Sequence, residues 1–416
     1  MSATAALPKT ITSSNLGADI HAGTATAGAL IMGADYRGLG VVRSLGRRGI
    51  PVWVIKQGGH LVATTSRYVC RNISWPPKDE RRQIDFLLDL ADKHYLYGWV
   101  LFPTDDYAVT LVSRNYEALA SHYRLTVPPW EELRWACDKR LLHRLAHDLG
   151  VHQPWAAAPN SREELAALDH SFPLILKPAL RMEPGSLAVP KAWRIDDRAS
   201  LLARYDEACT LIAPENLIVQ ELVPGGGESQ FSYAALCKDG VPLASIVARR
   251  TRQYPMDFGQ FSTYVETVDE PQVIEPSVRL LKALRFTGLV EVEFKKDPRD
   301  GQCKVIDINP RVWGWHTLSR SCGVDFPHLL WLLLRGESFS QLHGRAGQRW
   351  MHMSSDMSVA IREILSGRLS LRDYARSLRR PLESAIFAWD DPLPGLLDLP
   401  LFAGTLGKRV LQRKKA

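Results

Sequence analysis

Val290-Glu291-Val292-Glu293-Phe294 and, one short turn later, Ile306-Asp307-Ile308-Asn309-Pro310-Arg311 are the stretches that decide the fold of this chain. In both, β-branched or aromatic residues alternate with acids or an amide, so a strand built from either has one apolar face and one face of oxygen donors. The link Lys295-Lys296-Asp297-Pro298-Arg299-Asp300-Gly301 carries the charge, proline and glycine of a hairpin turn. Pairing the two strands sets Glu293 near Asp307 and Asn309, with the Arg311 guanidinium alongside. Hard oxygen donors of this kind suit Mg²⁺ shared with nucleotide phosphates. An arginine in that place neutralises a transferring phosphoryl group. Taken alone, the same pattern also fits a solvated antiparallel hairpin whose acids face water.

At 416 residues the chain is long enough for more than one domain, and 45% hydrophobic with 23% charged residues is the composition of a globular protein. No run approaches the ~20 apolar residues of a membrane-spanning helix. The richest, Leu329-Leu330-Trp331-Leu332-Leu333-Leu334, stops at Arg335-Gly336-Glu337 and predicts a buried helix. Residues 1–27 are rich in Ala, Thr, Ser and Gly and lack the basic start and apolar core of a signal peptide, so a disordered leader is expected there. Six cysteines without a C-x-x-C pair argue for free thiols in a reducing, cytoplasmic compartment, and against a disulfide frame or a structural zinc. A net charge of +7 is modest, and an anionic small-molecule substrate accounts for part of it without nucleic acid. Five of the last nine residues are basic, which fits a frayed tail or, as the sharper alternative, a contact with an anionic membrane surface.

Ala29-Leu30-Ile31-Met32-Gly33 is an apolar strand, Leu39 to Gly49 an amphipathic helix, and Ile50-Pro51-Val52-Trp53-Val54-Ile55 a second strand; this β-α-β order predicts a parallel sheet. The connecting Gly33-Ala34-Asp35-Tyr36-Arg37-Gly38-Leu39-Gly40 is not G-x-G-x-x-G and makes no dinucleotide site. Trp99-Val100-Leu101-Phe102-Pro103 is a later strand running into Thr104-Asp105-Asp106, and Pro128-Pro129-Trp130 marks a boundary. Beyond Gly336 the pattern shifts to short helices separated by prolines, at Met357 to Leu365 and Leu371 to Leu378.

The strand pair near residue 300 resembles the metal-binding strands of the ATP-grasp superfamily, and three further stretches resemble that family in its usual order. They are Cys137-Asp138-Lys139-Arg140 leading to Leu149-Gly150-Val151 and Pro154; Phe172-Pro173-Leu174-Ile175-Leu176-Lys177-Pro178; and Leu217-Ile218-Val219-Gln220-Glu221-Leu222-Val223-Pro224-Gly225. On these motifs the chain is identified as a member of the superfamily. The resemblance implies an α/β architecture: a Rossmann-like domain at 28–130, a first nucleotide-gripping lobe at 131–222, a second lobe with the metal site at 223–335, and a small helical extension with a basic tail at 336–416.

It also implies site roles. Lys139 and Lys177 would contact ATP phosphates, although Lys139 also fits a solvated helix end. The phosphate-covering loop would be 181–191, which departs from the family by having one glycine and two prolines; Arg181 or Lys191 would then replace backbone donors. The backbone of Glu221 and Val223 and the side chain of Gln220 would hold adenine, and Glu228 the ribose. Phe294 would lie beneath the purine, or else be an ordinary core residue. Glu293, Asp307 and Asn309 would bind Mg²⁺, or Mn²⁺ in its place, and Arg311 would be catalytic. Arg250 and Arg252, beside Arg249, are either substrate clamps or a solvated strand edge. Trp315 and His316 would line the acceptor side, His316 serving as a base or as a structural histidine. Asp105 would orient an amine or cap a helix.

The activity implied is that of an ATP- and Mg²⁺-dependent carboxylate–amine ligase, whose partners are a small carboxylate and an amine. The opening G-A-D-x-x-G-L-G-V-V-R-S-L-G-R-R-G-I and the later N-P-R-V-W-G-W-H resemble the subgroup containing D-aspartate ligase, which implies an amino acid or a cell-envelope precursor as substrate. Two alternatives stay open: a carboxylase that uses bicarbonate, and a non-catalytic ATP-binding regulatory module.

Overall fold

The computed structural model describes residues 27–56, 61–180, 191–254, 256, 259, 261–379 and 382–398. The expected leader, apart from residue 27, and the basic tail lie outside these residues. Five parallel strands open the fold, in the spatial order Val69–Ser74, Val52–Lys56, Ala29–Met32, Trp99–Pro103, Tyr123–Leu125. The central strand, Ala29–Met32, is apolar at every position and buried at every position, as befits a parallel sheet covered on both faces. The two helices that follow the central strands are capped by aspartates. Asp35 accepts from the Arg37 and Gly38 amides at the start of Tyr36–Gly46, and Asp105 accepts from the Ala108 amide at the start of Asp106–Arg114. Because their strands pair in parallel, Asp35, Asp105 and Asp106 gather at the carboxyl end of one sheet, where α/β sheets present functional groups.

A four-stranded antiparallel sheet follows, ordered Ala156–Ala157, Leu217–Glu221, Leu174–Pro178, Trp193–Ile195, its core filled by Leu174, Leu176, Ile195, Leu217 and Val219. An eight-stranded sheet then runs from Cys303–Asn309 through Gly288–Lys296, Gln230–Lys238, Val241–Tyr254 and Phe261–Thr267. The segment expected to be a helical extension does form helices, at Met353–Leu365 and Leu371–Ser377. It also does more. Leu342–His343, Arg349–Met351 and Glu383–Ser384 complete the large sheet, so the segment is part of that sheet.

Two ion pairs at side chains 6% exposed or less hold that segment in place. Arg252 meets Asp356 through Nε and Nη2 at 2.9 and 2.8 Å, and Arg43 of the first helix meets Asp391 at 2.9 Å. Among the described residues, no helix is long and apolar enough to cross a membrane.

Candidate active site

The two acid-bearing strands pair antiparallel with Glu293 opposite Asp307 and Glu291 opposite Asn309. A bulge lies between these pairs and Phe294–Val305, leaving Ile306 unmatched. Strict alternation would have put Ile306 and Asp307 on opposite faces. The extra residue turns both toward one cleft, while Val305 and Ile308 stay in the core. A solvated hairpin is not what forms: Glu291 is 2% and Glu293 4% exposed.

Buried carboxylates need partners, and these have them. Asn309 Nδ2 donates to Glu293 at 2.6 Å and to Glu291 at 3.1 Å. Arg250 Nη2 lies 2.5 Å from Glu293 and 2.9 Å from Glu291, and Gln230 Nε2 donates to Glu293 at 2.7 Å. Glu291 also accepts from Ser232 Oγ at 2.9 Å and Trp315 Nε1 at 3.0 Å. Burial opposes ionisation of Glu293, but the Arg250 guanidinium and the Lys191 ammonium outweigh it and hold the carboxyl below its usual range. Burial likewise opposes ionisation of Asp307, and Lys139, Lys177 and Lys191 overcome it; Lys139 Nζ stands 3.1 Å from the carboxylate.

Glu293 and Asp307 form one wall of a cleft of about 710 Å³ between the four-stranded and eight-stranded sheets. Lys139, Lys177, Lys191 and Lys295 line it against two acids, Glu293 and Asp307, so the cleft carries an excess of positive charge suited to a polyanion. Its apolar walls are Ile175, Leu222, Val223 and Ile306, with Gln220 and Gln230 among its polar groups. His143 stands behind Gln220, 3.3 Å from its Oε1, and burial followed by the Lys177 charge pushes the imidazole down to about 4. Two carboxylates and an amide are the donors available; among the described residues no group of three His, Cys, Asp or Glu side chains would hold a metal by itself. That set fits Mg²⁺, which takes one or two protein carboxylates and completes its shell with phosphate oxygens and water.

Lys139, Lys177, Gln220, Val223, Glu293 and Asp307 are thus brought together, with Asn309 hydrogen-bonded to Glu293. Arg311 sits beside them: Nη2 is 3.2 Å from Asn309 Oδ1, and Nε is 2.5 Å from Asp106 of the parallel-sheet domain. Lys191 lines the cleft and donates to the Gly259 carbonyl at 2.5 Å, whereas Arg181 lies outside the described residues.

The remaining expected residues are placed as follows. Phe294 is 0% exposed and packs in the core with Val290, Val292 and Val305, because it faces away from Glu293 on its strand. Glu228 is exposed in the turn after Gly225–Gly227 and accepts from the Gly226 amide at 3.0 Å. The Glu221 side chain is engaged by Arg299 and by the Trp155 amide. Arg252 is buried, ion-paired with Asp356, and lies over the Tyr264 ring at 4.1 Å. Arg250 braces the acids. Trp315 and His316 are each 1% exposed: the former donates to Glu291, while His316 Nδ1 sits 2.9 Å from the Trp313 carbonyl. Burial holds the His316 imidazole down at about 4. Asp105 caps its helix.

Ile175, Leu222, Ile306, Gln230 and Lys295 were not anticipated, nor was Glu291 as the hub of the network. Glu291 was visible in the V-E-V-E alternation. Gln230 carried no local signal, since only strand pairing brings it beside Glu293.

Residues 214–355 match the family model described as ATP-grasp in the biosynthetic pathway with Ter operon. The chain shares the ATP-grasp fold with solved structures, and the matched segment is about a third of its length. Among individual relatives, it is 23% identical over 260 residues to D-aspartate ligase of Enterococcus faecium, covering 55% of this chain and 57% of that one. It is 24% identical over 182 residues to the carbamoyl phosphate synthase large chain, C-terminal section, of Methanopyrus kandleri, covering 42% and 32%. The chain therefore spans well under two thirds of the curated relatives it matches. Among solved structures, the L-amino acid ligase of Bacillus licheniformis superposes with a TM-score of 0.60 at 16% identity, over 74% of each chain.

Proposed function

We propose that the chain is an ATP- and Mg²⁺-dependent carboxylate–amine ligase acting on an amino acid or a cell-envelope precursor. The observation that supports this is Glu293 and Asp307, with Asn309 hydrogen-bonded to Glu293, in a cleft lined by four lysines. A substrate carboxylate attacks the γ-phosphate of ATP, releasing ADP and leaving an acylphosphate. An amine then attacks the acyl carbon, the amide forms, and phosphate leaves. Lys139, Lys177, Lys191 and Lys295 offset the charge of the triphosphate. Arg311, held against Asn309, neutralises the transferring phosphoryl group. Glu293, Asp307 and Asn309 would hold Mg²⁺, which when bound neutralises phosphate charge. No enzyme nucleophile takes part in this scheme. Six free cysteines support a reducing, cytoplasmic setting.

The decisive assay is phosphate release from ATP and Mg²⁺ across pairs of amino acids and cell-envelope precursors, with and without bicarbonate. Release that needs both a carboxylate and an amine, with a new amide seen by mass spectrometry, supports the ligase. Bicarbonate-dependent release without an amine would replace it with the carboxylase, and ATP binding without turnover on any pair would favour the regulatory module.

A further inference from the structure

The second lobe carries an apolar surface unrelated to the cleft. On helix Met353–Leu365, four large apolar side chains recur at every fourth position, Met353, Met357, Ile361 and Leu365, with exposures of 44%, 44%, 56% and 83%. That spacing places them along one stripe. The opposite side of the helix, with Asp356, Val359, Ala360 and Glu363, is buried against the body of the lobe. Helix Leu371–Ser377 continues the pattern: it buries no residue, and Leu371, Ala375 and Leu378 fall on one side of it, with Leu371 71% and Leu378 39% exposed.

Charge tells what this surface faces. Within 353–379 every arginine is exposed: Arg362, Arg368, Arg372, Arg376 and Arg379. The three acids there are each ion-paired, buried Asp356 with Arg252, buried Glu363 with Arg368 and exposed Asp373 with Arg376, so the surface keeps a net excess of arginine. An apolar stripe edged by arginines suits an anionic, partly apolar partner. A two-fold pairing of this surface with itself would set arginines against arginines. The segment 399–416, with five basic residues and no acid, would meet the same repulsion.

We propose that helices Met353–Leu365 and Leu371–Ser377 dock the protein on an anionic lipid surface, the apolar stripe entering the headgroup boundary and the arginines engaging lipid phosphates. In this arrangement the protein lies on the membrane surface.

Co-sedimentation with vesicles of phosphatidylcholine, alone or mixed with phosphatidylglycerol, tests this. The full chain should bind the mixed vesicles, less so as salt is raised, and bind neutral vesicles weakly. A variant combining Ile361→Asp, Leu365→Asp and Leu371→Asp should lose about tenfold in binding with an unchanged melting temperature. A second variant, Arg362→Glu with Arg372→Glu, should lose binding with a weaker salt dependence. No binding to mixed vesicles overturns the proposal. So does a chain that binds like wild type with the three aspartates but loses binding with Arg413→Glu, Lys414→Glu and Lys415→Glu, since the tail alone would then be the anchor. Concentration-dependent dimerisation abolished by Leu365→Asp, without vesicle binding, would instead mark the stripe as a contact between two copies.

Discussion

Arg311 of the large sheet's edge and Asp106 of the parallel-sheet domain form an ion pair at 2.5 Å, at an arginine whose side chain is 12% exposed. The same guanidinium reaches Asn309 at 3.2 Å. Seating of one domain on the other therefore sets the direction of the cation beside the proposed phosphoryl site. Asp106→Asn should lower kcat about 10- to 100-fold, as expected when a catalytic group is misplaced by an ångström or less. KM for ATP should stay nearly constant, because the cleft lysines are untouched. Steady-state kinetics separate the two; a wild-type kcat would show that Arg311 does not depend on Asp106.

Asp307 lies 3.1 Å from Lys139 and shares the cleft with three more lysines. Asp307→Asn should reduce turnover by about 10³-fold or more while nucleotide binding, measured by calorimetry, persists. Turnover close to wild type would remove Asp307 from the metal-binding set.

Arg250 links Glu291 and Glu293 at a side chain only 6% exposed. Replacing it with methionine leaves two buried carboxylates without their shared cation, which should cost about 3–5 kcal/mol of stability. Adding Glu291→Gln should recover part of the loss, because one uncompensated charge disappears with it. Thermal melting of the single and double variants checks the sign of the coupling.

Two histidines give the protein an acid sensitivity above the range where carboxylates titrate. His143 and His316 are both held down at about 4 by burial, against 6.5 when unfolded. Their folded forms stay neutral where the unfolded chain already binds protons, so the stability they contribute is full above about pH 6.5 and is lost as pH falls toward 4. Glu293 and Asp307, both held below their usual range, add losses only at lower pH. Denaturation midpoints between pH 7 and 4 should fall more gently for His316→Gln than for the parent. An unchanged slope would mean that this imidazole is protonated in the folded state.

Much of the site was legible because it rests on local repeats. V-E-V-E-F and I-D-I-N-P-R each announce a strand with one acidic face, and the turn between them is written in Pro298 and Gly301. Lys177 was readable as the end of an apolar strand. Phe294 was harder: on its strand a core residue and a purine platform look alike, and only the packing against Val290 and Val305 separates them. Arg250 and Arg252 show the same limit. Two residues apart on one strand, they find different partners, one the acids at 291 and 293, the other Asp356 in a helix about a hundred residues on.

Local pattern dictates the elements: the parallel β-α-β opening, the aspartate-capped helices, the two acid-bearing strands and the lysines that face them. These follow from side-chain period and from backbone groups that must be satisfied within a few residues. The tertiary structure alone decided which side chains meet. The bulge at Ile306 turned an apolar residue into the cleft, the terminal strands joined the large sheet, and Asp106 closed on Arg311 from across 205 positions. Such pairings depend on which charges are left buried together once the sheets pack, and no local window contains both partners.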